Sequence, residues 1–131
     1  MSAENVELVR ELYLSLDRDG RFADALLDDE VEYVNPPDAV EPGIRRGREE
    51  FRAATTRVEE AFGETRVEVD RLIDAGEEVV ALVTFVVKGS ASGVGQRQPQ
   101  GHVWTFRDRK AIRFRWFNDQ AAAQKAAGLE P

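Results

Sequence analysis

Two alternating aromatic runs in the last third of the chain restrict its fold more than any other feature. The first is Gly101-His102-Val103-Trp104-Thr105-Phe106. The second is Ala111-Ile112-Arg113-Phe114-Arg115-Trp116-Phe117-Asn118, and Arg107 to Lys110 joins them. Alternation with a period of two belongs to half-buried strands, and so short a joint makes them a hairpin. Side chains two apart share a face, so His102, Trp104 and Phe106 stand with Ile112, Phe114, Trp116 and Asn118. That face carries the only histidine and both tryptophans. A mostly apolar wall with a few polar groups describes a small-molecule pocket. It describes a filled core equally well.

The rest of the chain supplies the partners of that hairpin. Val6, Val9, Tyr13 and Leu16, widened by Leu8 and Leu12, follow helical spacing over residues 3–16. Arg21 to Leu27 reads as a second, short helix. Val31 to Asn35 alternates as a strand stopped by Pro36-Pro37, and the stretch to Gly47 reads as loop. Arg48 to Phe62 is a helix with Phe51, Ala54, Val58 and Phe62 on one face. Arg66 to Asp74 alternates with a change of phase, and Ala75-Gly76 is a turn. Glu78 to Lys88 is a strand apolar on both faces, so both faces need cover. Gly89 to Gly101 reads as a flexible connection. Asp119 caps an alanine-rich terminal helix ended by Gly128. Helices segregated from a run of strands indicate an α+β fold. The expectation is a cone-shaped roll, N-terminal helices on a strongly curved antiparallel sheet enclosing a pocket. A second copy covering the outer face would make a homodimer.

Composition limits the function classes. At 131 residues the chain fits one domain spanning 1–131. Its formal net charge of −7 opposes nucleic-acid binding, which needs phosphates neutralised. No run of about 18 apolar residues suggests a membrane span. Met1 to Asn5 lacks the pattern of a signal peptide, so the expected location is cytoplasmic. There is no cysteine, hence no disulfide or thiolate chemistry. One histidine among scattered carboxylates makes no metal centre, and no glycine-rich phosphate loop opens a helix. No metal and no cofactor are expected.

Several short motifs, in order and compatibly spaced, resemble a known family. They are Val9-Arg10-Glu11-Leu12-Tyr13, Leu26-Leu27-Asp28-Asp29-Glu30-Val31, Arg46-Gly47-Arg48-Glu49-Glu50-Phe51, Asp74-Ala75-Gly76-Glu77-Glu78-Val79-Val80, His102-Val103-Trp104-Thr105-Phe106 and Ala126-Ala127-Gly128-Leu129. The chain resembles the SnoaL-like branch of the nuclear transport factor 2-like superfamily. That branch includes small polyketide cyclases and is related to ketosteroid isomerase. The resemblance covers nearly the whole chain and speaks to fold more than to reaction.

It implies roles residue by residue. Tyr13 matches the helix-one tyrosine that donates to the substrate oxyanion in ketosteroid isomerase. His102 falls where that enzyme has its second acid. Asn35, before Pro36, stands where it has its aspartate base; the second acid, at the place of His102, is the carboxylic acid that enzyme keeps neutral in an apolar pocket. An amide accepts no proton at ordinary pH, so strict steroid isomerisation is not expected. His102 and Tyr13 are the candidate catalytic groups. Asn35, Tyr33, Phe85, Trp104, Phe114, Trp116 and Asn118 are candidate ligand contacts. The implied function is a cofactor-free acid/base enzyme of isomerase, cyclase or lyase type acting on a hydrophobic oxygenated or polycyclic molecule. The alternatives are a non-catalytic domain for a small apolar ligand and a structural dimerisation domain.

Overall fold

The structure, a computed structural model, describes residues 2–88 and 95–129. It opens with α1 (Ser2–Asp19), whose Leu8, Val9, Leu12 and Tyr13 are buried. Ser15 anchors its end: the hydroxyl donates to Leu12 O (2.6 Å) and accepts from Ala23 N (3.0 Å). The expected helix over 21–27 is only a 3-10 turn at Asp24–Leu26. Leu27 already begins β1 (Leu27–Asn35). Three apolar residues cannot repay the nucleation of a helix when the same residues can extend a buried strand. The expected loop after Pro37 contains β2 (Gly43–Arg46), antiparallel to β1.

Helix α2 (Arg48–Phe62) has the expected bounds and buries Phe51 and Ala54. Strands β3 (Thr65–Ala75), β4 (Glu78–Val87), β5 (Gln96–Arg107) and β6 (Lys110–Phe117) form an antiparallel meander. The phase change in β3 is a bulge between Val69 and Arg71. The turn between β5 and β6 holds Asp108 and Arg109 at φ 51° and 66°, the two positive values a two-residue hairpin turn needs.

The strand order is β2-β1-β6-β5-β4-β3. β1 runs parallel to β6, so the sheet is mixed rather than purely antiparallel. Helices α1 and α2 pack on the concave face of this curved sheet, an α+β architecture of the expected class. One detail differs from the parity expectation. A second bulge, between Thr105 and Phe106, opposes Phe106 to Ala111, so Ala111 enters the core where Ile112 was expected.

The outer face of β4 has a partner within the chain. Helix α3 (Gln120–Ala126), capped by Asp119 as expected (Oδ1 accepts from Ala121 N, 2.9 Å), folds back over it. Val80, Val103 and Ala123 are fully buried there, with Leu82, Phe117 and Leu129 around them. Gly101 admits this approach, since a β-carbon on it would sit 2.3 Å from that of Ala123. The rest of the outer face carries charges paired across strands. Glu32 accepts from Arg46 (2.7 Å) and Arg113 (2.9 Å), and Glu78 from Arg115 (2.9 Å) and Thr105 (3.0 Å). Two guanidinium bonds hold the Glu32 carboxyl below its ordinary range. No described helix is long and apolar enough to cross a membrane.

Of the expected flexible connection over 89–101, residues 89–94 lie outside the described residues. Residues 96–101 are strand, extending β5 along β4 as far as Gln96↔Val87.

Candidate functional site

The concave face is read off the register. Along β5 it presents Gln98, Gln100, His102 and Trp104; beside them on β4 stand Phe85, Val83, Ala81 and Val79. On the other side β6 sets Trp116 opposite His102 and Phe114 opposite Trp104. Toward Trp104 the face is closed. Trp104 is fully buried, and Tyr13, His102, Phe51 and Phe114 are nearly so. Their rings meet edge-on or tilted: Trp104–Phe114 at 4.6 Å, His102–Phe114 at 4.9 Å, Phe22–Trp104 at 5.1 Å. Here the aromatic wall is core. A cavity of about 10 Å³ beside Phe22, Leu27 and Phe51 has room for one water and no ligand.

Within this core runs one chain of polar side chains. Trp104 Nε1 donates to Tyr13 Oη (2.9 Å), Tyr13 Oη bonds His102 Nδ1 (2.6 Å), and His102 Nε2 bonds Gln100 Oε1 (3.3 Å). The inventory of donors assigns the protons. Gln100 Oε1 can only accept, so the proton of the neutral imidazole is on Nε2 and Nδ1 is the acceptor; Tyr13 therefore donates to His102 Nδ1 and accepts from the indole of Trp104, which can only donate. His102 is then the neutral tautomer with its proton on Nε2, which it donates to Gln100. Burial pushes the imidazole down to about 3 and the Tyr13 phenol far up. Neither group carries charge at neutral pH. A proton passed outward from Tyr13 would leave a buried tyrosinate and one taken inward a buried imidazolium, so the chain orients the imidazole and conducts nothing.

The two ends of the chain differ. The bond behind His102 is short. The bond in front of it, to Gln100, is longer than an ordinary N–H···O bond. Gln100 is half-buried, and the concave face becomes progressively exposed beyond it toward Gln98. Phe85, Trp116 and Asn35 border this open end, all half-buried.

The expected site residues therefore fall into groups. Tyr13 and His102 come together, locked to each other and to Trp104. Asn35 does not join them; its Oδ1 accepts from Trp116 Nε1 (2.7 Å). Tyr33 is core, 5.2 Å from both Phe51 and Phe114, and burial raises its phenol to about 12. Phe85 stacks edge-on against Phe62 of α2 at 5.8 Å. Asn118 is exposed, its backbone carbonyl accepting from Gln98 (3.3 Å). Gln100 was not among the expected residues. Its signal was present: carrying the alternation of His102, Trp104 and Phe106 back past Gly101 reaches it. Among the described residues no cluster of three or more His, Cys, Asp or Glu could hold a metal ion.

Comparison with known proteins agrees with this fold. The SnoaL-like domain family matches residues 9–114, most of the chain. A solved NTF2-like protein of unknown function from Burkholderia pseudomallei is 27% identical over 93% of this chain and 95% of its own, with a TM-score of 0.71. TerC, co-crystallised with polyporic acid, is 26% identical over 95% of this chain and 98% of its own, with a TM-score of 0.75. A candidate SnoaL-like polyketide cyclase from Jannaschia sp. CCS1 is 20% identical over 99% and 95%, with a TM-score of 0.73, a likeness of fold. Curated proteins give no match. The chain belongs to the SnoaL-like domain family, on an NTF2-like fold related to that of polyketide cyclases and ketosteroid isomerases.

Proposed function

We propose that the chain is a small-molecule pocket protein taking a hydrophobic oxygenated ligand at the open end of the sheet. The observation that carries this is the imidazole of His102. It is buried, neutral and held from behind by Tyr13 and Trp104, with its one N–H directed to the half-exposed Gln100. A donor so fixed suits a ligand oxygen, and the half-buried Phe85 and Trp116 suit an apolar body. TerC, co-crystallised with polyporic acid, supports a small organic ligand.

Of the two functional readings, binding is the better supported. An acid/base enzyme needs a proton acceptor. His102 Nδ1 is occupied by Tyr13, its Nε2 already bears the proton, and burial opposes a second. Asn35 offers an amide. Isomerase, cyclase or lyase chemistry would have to bring its base from elsewhere. The test uses 1-tetralone, a bicyclic ketone, in heavy water. We expect saturable quenching of Trp116 fluorescence, with α-hydrogen exchange no faster than in buffer and negligible steroid isomerisation. Exchange accelerated by the protein and lost in His102→Gln would instead make it an acid/base enzyme.

A homodimer in the cytoplasm belongs to the same proposal. The outer face mixes both charge signs around Arg113, Arg115, Glu32 and Glu78, which suits a self-complementary two-fold contact. Light scattering at micromolar concentration should give twice the mass of the chain. A monomer mass would remove the dimer.

A further inference from the structure

We infer that Gln100 is a built-in substitute for the ligand's oxygen, and that the site selects uncharged molecules carrying hydrogen-bond acceptors rather than donors. This rests on the ligand site proposed above and adds its chemical selectivity.

The argument is one of proton accounting. Gln100 Oε1 can only accept, so the one N–H of the neutral imidazole lies on Nε2; Nδ1 then accepts from Tyr13 and Tyr13 from Trp104, and every proton along the three is directed outward. The last, on His102 Nε2, must meet an acceptor, because a buried N–H left unpaired is costly. Gln100 Oε1 meets it at 3.3 Å, the longest link of the three. The amide also sits where displacement is easy: Gln100 is half-buried, next to the exposed Gln98, while the histidine behind it is 5% exposed. A ligand carbonyl that takes the N–H frees Gln100 to turn to water. A ligand ammonium has no lone pair to receive that proton, and its own N–H groups find no acceptor on the ring, since Nδ1 is sealed by Tyr13; a hydroxyl is received only through its oxygen lone pair.

The second polar group at the open end has the same polarity. Asn35 spends its carbonyl oxygen on Trp116 Nε1, which leaves its amide nitrogen as the outward end. Trp116 lies opposite His102, and Asn35 follows the Val34↔Arg115 pair in the parallel register. Asn35 and His102 are therefore about two strand spacings apart, roughly 10 Å between α-carbons, with the indole of Trp116 between them. Two donors across an aromatic floor fit a flat molecule with an oxygen at each end. The concave-face residues around them on β4, β5 and β6 (Val83, Phe85, Gln98, Gln100, Trp116) carry no charge, and the half-buried Arg45 opposite Tyr33 on β2 is already paired with Glu41 and Glu50.

The test uses three probes of one size: naphthalene with no acceptor, 1-tetralone with one, and 1,4-naphthoquinone with two. The chain has no cysteine for the quinone to alkylate. Each is titrated against wild type and Gln100→Met, which keeps the side chain's length and removes the amide. Affinity should rise from naphthalene to naphthoquinone. In Gln100→Met the ketone should bind about 3- to 10-fold more tightly, and naphthalene within about 2-fold of wild type. Asn35→Asp should bring naphthoquinone down to the level of tetralone. Equal gains for naphthalene and tetralone in Gln100→Met would overturn the inference and leave the ligand site standing. Failure of all three probes to bind either protein would overturn the site itself. Long-range proton–nitrogen NMR of the unliganded protein is independent of any ligand. The proton is expected on Nε2 of His102, and its presence on Nδ1 would overturn the inference outright.

Discussion

Lowering the pH from 7 to 4 should remove about 3 kcal/mol of stability that depends on His102 alone. The imidazole is 5% exposed, and burial pushes it down to about 3 in the folded protein. In the unfolded chain it titrates near its ordinary value of about 6.5. The folded value is the lower one, so between the two the unfolded chain binds the extra proton. The contribution is therefore complete above pH 6.5 and is lost as the pH falls from there toward 3. His102→Gln has no such group and should lack this slope. Carboxylates such as Glu32 add their own loss at lower pH, but equally to both proteins. Urea unfolding of the two proteins at pH 7, 5.5 and 4 measures the difference. Parallel curves for wild type and variant would mean that His102 is protonated within the fold.

The second large effect lies on the other face. Gly101→Ala should destabilise the protein by about 3 kcal/mol, the upper end for an overpacked site. The added carbon would meet the Ala123 side chain at 2.3 Å and the Gln120 backbone at 3.4 Å, so α3 must lift off the sheet. Adding Ala123→Gly should restore most of the loss, because it removes the closest atom. Thermal melts of the two single variants and the double variant test this. A double variant no more stable than Gly101→Ala would show that the cost arises in the strand and not between the two elements.

Much of this fold was legible because the deciding forces are local. The bounds of α2 and the Asp119 cap follow from spacing and from a side chain two residues from its target. The shared face of His102, Trp104, Phe114 and Trp116 follows from the pleat. What was not legible depends on distant partners. Gln96 to Gln100 has the composition of a loop and becomes strand because β4 lies alongside. Residues 21–27 have the composition of a short helix, and Leu27 is drawn instead into pairing with Ala111. The candidate site divides in the same way. That His102 and Tyr13 stand near one another could be expected. That Gln100 fixes the tautomer from the front while Tyr13 and Trp104 hold the ring from behind could not, because it turns on four side chains meeting across α1 and β5.

The parallel pairing of β1 with β6 also governs how the chain must assemble. Asn35 and Trp116 are bonded although 81 residues separate them. Strands β1 and β2 with α2 make one piece, and β3, β4 and β5 another; among the described residues β6 is the strand hydrogen-bonded to both. Such non-local closure is slow, since chain entropy must be surrendered before the contacts form. During synthesis the facing edges of β1 and β5 stay open until β6 emerges. The interval is one in which two exposed strand edges invite pairing with other chains. The second strand of the hairpin that dominates the amino-acid pattern is thus also the last strand to arrive, and its docking turns two incomplete sheets into one cooperative unit.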